Sequence, residues 1–254
     1  MRNIQTYADI KAAYAAGELT SAEEKLIDGC LTGKGCKLGD GTLPTAPSDA
    51  HTVHADLLRY LITGGGDGCV VHDLGVQLAG AYVPEVLDLD YAQAKGTTNL
   101  VHCHFEQKIY AYYCHFNTLS LHGSALQQGL SAQGAVIVGS VFLRKGFSAK
   151  GCVDLGGAKI GGQLNCTGGQ IEVTEGDALN AQHAQIMGSV FLNKGFSAKG
   201  RVDLVGAKIT GQLTCVRGRF HAEKGAALQL VGTQAAGRHA GCAFFLERCH
   251  GNIR

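Results

Sequence analysis

The chain has no tryptophan, only three prolines, and no run of residues that approaches the ~20 apolar positions of a membrane-spanning helix. The N-terminal sequence MRNIQTYADIKAAY also lacks the apolar core of a secretory signal. These absences argue against an integral membrane protein and against a secreted one. The ten cysteines are therefore expected to be reduced thiols, since disulfides belong to oxidising compartments. The sequence predicts a cytoplasmic location.

Catalytic and cofactor motifs are also missing from the sequence. The closest approach to a phosphate-binding loop, GCLTGKG at residues 29–35, is one residue short and has no Ser or Thr after Lys34. No GxGxxG motif stands where a strand would lead into a helix. The sequence consequently predicts no cofactor, and a non-enzymatic protein is preferred over an enzyme.

Glycine and internal repetition are what the chain has in excess. It holds 37 glycines in 254 residues, about twice the usual ~7%. Residues 130–169 and 179–218 align without a gap, and 29 of the 40 positions are identical. A near-copy at a fixed offset of 49 residues indicates an architecture that stacks one structural unit on the next.

The repeat unit shows the alternation of short strands. Small and branched residues occupy every second position, as in Ala158, Ile160, Gly162 and Leu164. Hairpin turns such as Asn-Gly are missing between these blocks, which favours a chain that winds in one direction. The sequence therefore predicts an all-β, right-handed parallel β-helix. The spacing of the equivalent residues Ile137, Ile160 and Ile186 divides the repeat into two unequal coils, the longer with a loop at residues 171–178.

The N-terminal part has a helical pattern instead. Ser21 followed by Glu24 predicts a capping box, and a further short helix is expected over HADLLRYLI. Residues 37–49 are rich in Gly and Pro and form a predicted linker. We expect residues 1–68 to form a helical cap that shields the first coil of a solenoid at residues 69–254, because bare strand edges invite aggregation.

The series HADLLRYLITGG, GVQLAGAYVPEVLDLDYA and the repeated GSVFLxKGFSAKGxVDLxGAKIxGQLxC resembles bacterial β-helix repeat proteins related to the pentapeptide-repeat superfamily. The resemblance covers most of the chain and implies a right-handed β-helix behind a small helical leader. It brings no defined activity. Some members are classed as oxidoreductases, but no motif in this chain supports that chemistry. The coils here are longer than the coils that strict pentapeptide repeats would give.

Charge is divided unevenly along the sequence. Residues 1–129 carry 8 Lys/Arg and 14 Asp/Glu, whereas residues 130–254 carry 14 and 7. The basic half predicts a row of outward charge that could bind an anionic partner, either a nucleic acid or a lipid surface. The alternative is that these residues only keep the sheet soluble. The candidate residues are Lys145, Lys150, Lys159, Lys194, Lys199, Arg201 and Lys208.

Histidine, cysteine and tyrosine cluster in the early coils. His102, His104 and His115 are candidates for a metal or an enzyme site between the cap and the first coils. Alternation sends Cys103 and Cys114 inward, however, so the expectation is core packing for these thiols. The outward side chains His102, His104, Tyr110 and Tyr112 could instead form a shallow patch for a ligand or a protein.

The predicted function is a binding or scaffolding protein that uses the solenoid surface to contact a protein or an anionic partner. The phenylalanines of the repeat are expected to be buried, and Asp154 and its equivalent Asp203 to be structural, since catalytic residues rarely recur in every second coil. The C-terminal stretch has no capping helix. The sequence therefore predicts a homodimer through the last coil, at Phe244, Phe245 and Leu246.

Overall fold

The computed structural model describes residues 3–235, the backbone of Phe244–Phe245, and Asn252. Its N-terminal part is helical, with α1 at Tyr7–Ala15, α2 at Ser21–Thr32 and α3 at Ala55–Ile62. The capping box of α2 lies one residue earlier than the sequence predicts, because Thr20 and Glu23 exchange the two bonds. None of the helices in this part of the chain is long and apolar enough to cross a membrane.

The rest is a parallel β-solenoid of about seven turns with four faces, which confirms the predicted fold class. Face A stacks the strands Cys36–Lys37, Gln77–Ala79, Thr97–Val101, Thr118–Ser120, Val141–Phe142, Leu164–Asn165, Val190–Phe191, Leu213–Thr214 and Phe244–Phe245. Face D stacks His115–Phe116, Val136–Ile137, Lys159–Ile160, Gln185–Ile186, Lys208–Ile209 and Gln234–Ala235.

The two remaining faces are joined by two long strands, Gln170–Asn180 and Ser197–Asp203, each of which contributes to both. Face B contains their first residues together with Tyr82–Val83, His104–Phe105, Ala125–Leu126, Ser148–Ala149 and Arg219–His221. Face C contains their last residues together with Leu87–Asp88, Ile109–Tyr110, Leu130–Ser131, Val153–Asp154 and Leu228–Gln229. A small antiparallel hairpin, Gly65–Gly66 with Cys69–Val70, follows α3.

Strand register confirms the two unequal coils. Ile137 pairs with Ile160, and Ile160 pairs with Ile186, so the second of these coils is the longer. The predicted loop at residues 171–178 is wrong. These residues belong to the strand Gln170–Asn180, which accommodates its extra length by register shifts against Ser197–Asp203. A bulge absorbs additional residues while the pairing on both sides continues.

The core fills the solenoid with stacked small and branched side chains. One column on face D runs Phe116, Ile137, Ile160, Ile186 and Ile209, all at most 2% exposed. Each coil thus repeats the buried residues of its neighbour one strand spacing away, roughly 4.8 Å. This arrangement explains the alternation in the sequence, because only every second residue of each strand points inward.

The corner between faces D and A depends on glycine for close backbone approach. Gly162 N donates to Gly139 O at 2.6 Å, Gly188 N donates to Gly162 O at 2.8 Å, and Gly211 N donates to Gly188 O at 3.0 Å. A Cβ at Gly188 would lie 2.6 Å from Gly162 O. The recurring glycine that begins GSVFL and GQL therefore leaves room for a continuous ladder of hydrogen bonds.

The N-terminal helices pack against the first coil, and the strand Cys36–Lys37 from this part of the chain already belongs to face A. Residues of α3 pack against the strand Leu87–Asp88, and α2 contacts Cys36–Lys37 and Gln77–Ala79. Val53 N donates to Tyr82 O and Lys95 N donates to Ile62 O, so backbone groups of the first coil are paired with the cap. At the other end, the Phe244–Phe245 backbone pairs in parallel with Leu213–Thr214.

Candidate functional site

The structure does not bring the predicted basic residues into one row. Lys150 and Lys199 lie on face B, whereas Lys159 and Lys208 lie on face D. Arg201 lies on face C beside Asp177. The last two candidates, Lys145 and Lys194, occupy the corner between faces A and B, where both have positive φ.

Acidic neighbours also interrupt the basic residues. The strand registers place Glu172 between Lys150 and Lys199, and Lys199 Nζ contacts Glu172 Oε1 at 2.5 Å. Arg201 makes a two-pronged contact with Asp177, in which Nη2 donates to Oδ2 at 3.0 Å. The positive charge of residues 130–254 is therefore distributed around the solenoid and partly neutralised within it.

The three candidate histidines point to different sides. His102 lies at a corner with φ +49°, its ring covers Gly123, and its Nδ1 contacts Gly41 O at 3.0 Å. His115 is exposed on face D. His104 on face B stacks on Tyr82 with a centroid distance of 4.6 Å. Their separation leaves no shared site for these rings.

His104 belongs to a small polar cluster with Tyr82 and Glu106 on face B. Glu106 Oε2 accepts from the Tyr82 hydroxyl at 2.8 Å and lies 3.1 Å from His104 Nε2. The bond from Tyr82, followed by that of His104, lowers the pKa of Glu106, and the same carboxylate raises the pKa of Tyr82. His104 and Glu106 alternate on one strand face, so the sequence contained the signal for this pair but not for Tyr82, which is contributed by the preceding coil.

The predicted tyrosine patch is only partly formed. Tyr110 and Tyr112 stack with a centroid distance of 6.1 Å near face C, on a different side from His104. A second and more exposed pair was missed: Tyr91 and Tyr113 stack at 5.7 Å and are 76% and 58% exposed. Both have positive φ, at the corner between faces C and D, which sequence alternation alone does not reveal.

The four cysteines that alternation places inward are packing residues. Cys103, Cys114, Cys166 and Cys215 are all fully buried. Burial raises the pKa of Cys103, of Cys114 and of Cys166 to about 12, which opposes formation of the nucleophilic thiolate. Across the described residues, no group of three or more His, Cys, Asp or Glu side chains is arranged to hold a metal ion.

A cleft of about 640 Å³ separates the helical cap from the first coil. Its wall includes His54, Arg59, Glu85 and Asp88, and none of the three histidines named by the sequence. Behind it, the fully buried carboxylate of Glu23 accepts from His54 N and contacts His54 Nδ1, both at 3.0 Å. This arrangement ties α2 to the start of α3.

The repeated aspartates are structural. Asp154 Oδ1 accepts from Gly156 N at 3.0 Å and from Asn180 Nδ2 at 2.9 Å. Asp203 Oδ1 accepts from Val205 N at 2.9 Å, and Asn180 makes the same bond to the residue two positions on. This side-chain turn closes the face C strands that end at Asp154, Asn180 and Asp203, and it agrees with the expectation drawn from repetition.

The outer surface of face A carries less charge than faces B and C, which bear ion pairs, and face D carries Lys159 and Lys208. The central column of face A carries Gln77, Asn99, Ser120, Phe142, Asn165, Phe191 and Thr214. The neighbouring columns carry Thr118, Ser140, Gln163, Ser189 and Gln212 on one side and His122, Arg144, Thr167, Asn193 and Val216 on the other. Between positions 97 and 216, Arg144 is its single charged residue, with Lys145 and Lys194 at the border.

Face A also corrects the expectation that the repeat phenylalanines are buried. Phe147 and Phe196 are at most 1% exposed, but Phe142 and Phe191 are half-buried and stand in the outward column. The sequence places each of them directly between two buried residues, so alternation was sufficient to predict their direction. Because both residues are hydrophobic, they were expected in the core instead.

The backbone of Phe244–Phe245 is described, but the side chains of Phe244, Phe245 and Leu246 lie outside the described residues, so the predicted dimer contact stays a prediction. The resemblance to pentapeptide-repeat proteins also stays a prediction. Comparison of this chain with protein-family models, with curated proteins and with solved structures found no match in any of the three.

Proposed function

We propose that this protein is a non-enzymatic binding protein that holds an extended partner along the outer surface of face A. The observation that carries this proposal is the contrast between face A and the rest of the surface. Face A presents hydroxyl and amide side chains, of which Ser120, Asn193 and Thr214 are nearly buried, together with two half-buried phenylalanines. Faces B and C bear ion pairs within the sheet, at Lys199–Glu172 and at Arg201–Asp177.

An anionic partner and a ligand or metal site at the histidines have less support. An anionic partner would need several cations converging on one strip of surface, whereas the basic residues are divided among three faces and a corner. A ligand or metal site built by His102, His104 and His115 would need the three rings to converge. They lie on different sides of the solenoid.

The proposal is tested with two charge-introducing variants of the full chain. Asn165→Arg places a cation at the centre of face A, and Gln185→Arg places the same cation on face D at an exposed position. Both are assayed against immobilised panels of peptides, RNA and oligosaccharides. We expect a ligand that the wild type and Gln185→Arg bind alike and that Asn165→Arg binds at least tenfold more weakly. Equal binding by the two variants would refute the assignment to face A.

A further inference from the structure

We propose that the partner on face A is a neutral polysaccharide chain that lies parallel to the solenoid axis, with sugar rings packed against Phe142 and Phe191. This inference rests on the proposed function, because it names the chemical class that the same surface would bind. It depends on the charge, the hydrogen-bonding groups and the spacing of the aromatic rings.

The small amount of charge on face A favours an uncharged partner. The guanidinium of Arg144 lies 4.8 Å from the centroid of the Phe142 ring, so its charge is directed at that ring. Burial, followed by the charge of Arg144, lowers the pKa of His122, and the imidazole is therefore neutral at pH 7. One cation over this length of surface cannot neutralise a chain of phosphates, sulfates or carboxylates, which bind through many ionic contacts.

The polar groups of face A are arranged to bond outward. Ser140 Oγ accepts from Gln163 N, and Ser189 Oγ accepts from Gln212 N, both at 3.1 Å. Because each hydroxyl already accepts a bond from the next coil, its proton is left to donate to a ligand. Asn165 uses Oδ1 to accept from Thr167 N at 3.1 Å, which leaves its amide hydrogens for the same purpose. Sugar hydroxyls both donate and accept, and they suit this mixture.

The aromatic spacing matches a regular chain. Phe142 pairs with Asn165 and Asn165 pairs with Phe191, so the two rings are two coils apart, or about 9.6 Å at the strand spacing. A pyranose chain along the axis would place about one sugar on each coil. Alternate sugars could then pack their apolar C–H faces on the Phe191 ring and on the stacked side chains of Arg144 and Phe142, with the intervening sugar hydrogen-bonded to Asn165.

A protein partner fits this surface less well. Protein interfaces concentrate their binding energy in a central apolar cluster rich in Trp, Tyr and Arg. On face A the two phenylalanines are separated by Asn165 and flanked by hydroxyl and amide residues. At its N-terminal end the surface continues into an open groove of about 590 Å³ that is lined in part by Gln77, Thr97 and Asn99. Lys37 also lines this groove, so the neutral polar strip ends at this end of face A.

The test measures binding of the full chain to neutral hexasaccharides of glucose, mannose and xylose, with polygalacturonate as the charged comparison. Calorimetry is run for the wild type, Phe191→Ala, Phe191→Tyr and Gln185→Ala, each checked for an unchanged unfolding midpoint. We expect at least one neutral hexasaccharide to bind, with an affinity that is the same at low and at high salt. Phe191→Ala should weaken it about tenfold, since one aromatic contact is lost. Phe191→Tyr and Gln185→Ala should leave it unchanged.

Two results would overturn the inference: no binding of any neutral hexasaccharide, or binding that Phe191→Ala leaves intact. Its failure can be distinguished from failure of the proposed function. If a peptide or RNA binds and Asn165→Arg abolishes that binding, face A remains a binding surface and only the polysaccharide is wrong. If no ligand distinguishes Asn165→Arg from Gln185→Arg, both proposals fail.

Discussion

The glycine ladder at the corner between faces D and A makes a sharp prediction about stability. Gly188→Ala would place a Cβ 2.6 Å from Gly162 O, 2.7 Å from Gly162 C and 2.9 Å from Gln163 N. All three atoms belong to the backbone of the neighbouring coil, so no side-chain rotation can relieve the contact. The neighbouring coils must separate, and this strains the bonds from Gly188 N to Gly162 O and from Gly211 N to Gly188 O.

The expected loss of stability follows from these contacts. Overpacking a close-packed region costs about 1–3 kcal/mol. Weakening two backbone hydrogen bonds adds about 1 kcal/mol for each. We therefore expect Gly188→Ala to lower the free energy of unfolding by about 3–5 kcal/mol, a large part of the ~5–15 kcal/mol by which domains are stable.

Urea unfolding followed by circular dichroism measures the effect, with Gly35→Ala as the matched control. At Gly35 the closest atom to the added Cβ is Gln77 Cβ at 3.8 Å, an ordinary contact. The control should stay within about 1 kcal/mol of the wild type because Gly→Ala changes without strain have small effects. If Gly188→Ala unfolds at the same urea concentration as Gly35→Ala and with the same slope, the close approach of the coils at Gly188 does not contribute to the free energy of unfolding.

Three further predictions concern the turns, the thiols and the core. Asp154→Ala should lower the free energy of unfolding by about 1–3 kcal/mol, because the Gly156 N–H and two side-chain amides lose their acceptor. Asp154→Asn should have a much smaller effect, since Asn180 makes the same turn. Equal unfolding midpoints for the two variants would contradict this prediction. For Cys103 and Cys166, whose folded pKa of about 12 lies above the unfolded value near 9, the unfolded chain ionises first. The stability that these buried thiols contribute is fully present below pH 9, and the free energy of unfolding should fall by up to about 1.4 kcal/mol per thiol per pH unit between pH 9 and 12. Urea unfolding under reducing conditions at several pH values measures this fall, and Cys166→Ala should make it less steep. An unchanged pH dependence in Cys166→Ala would show that its buried thiol is not the cause. Phe196→Ala should lower the free energy of unfolding, measured by thermal unfolding, by about 3–5 kcal/mol, because its fully buried ring packs on Phe220 with a centroid distance of 5.6 Å. An effect below about 1 kcal/mol would show instead that the core around Phe196 collapses into the cavity.

Much of the fold was accessible from the sequence because a solenoid repeats the same local environment. The spacing of Ile137, Ile160 and Ile186 gave the coil lengths, and strand register confirms them. Alternation also placed Cys103 and Cys114 correctly in the core. Local rules were insufficient at residues 171–178, because the strand Gln170–Asn180 keeps its pairing with Ser197–Asp203 on both sides of a bulge at residues 173–176.

The candidate surface was less accessible because sequence neighbours are distributed around four faces. Lys145, Lys150 and Lys159 are close in the repeat, yet each lies on a different side of the solenoid. The spacing of outward residues gives their separation along the chain. It does not give the face on which each residue lies, because the chain changes direction at every corner of the solenoid. Glu172 between Lys150 and Lys199 could be recognised only after the coils were aligned in space.

The sequence by itself determined that this chain stacks coils in a two-coil repeat and fills its core with small, branched and aromatic side chains. This information is present in the order of the residues, because buried positions alternate along each strand and recur in each coil. The tertiary structure alone decided which outward side chains share a face, because those neighbours are about one coil apart in the chain and meet only through strand pairing. The neutral character of face A, with Phe142 and Phe191 aligned across Asn165, is a property of that pairing.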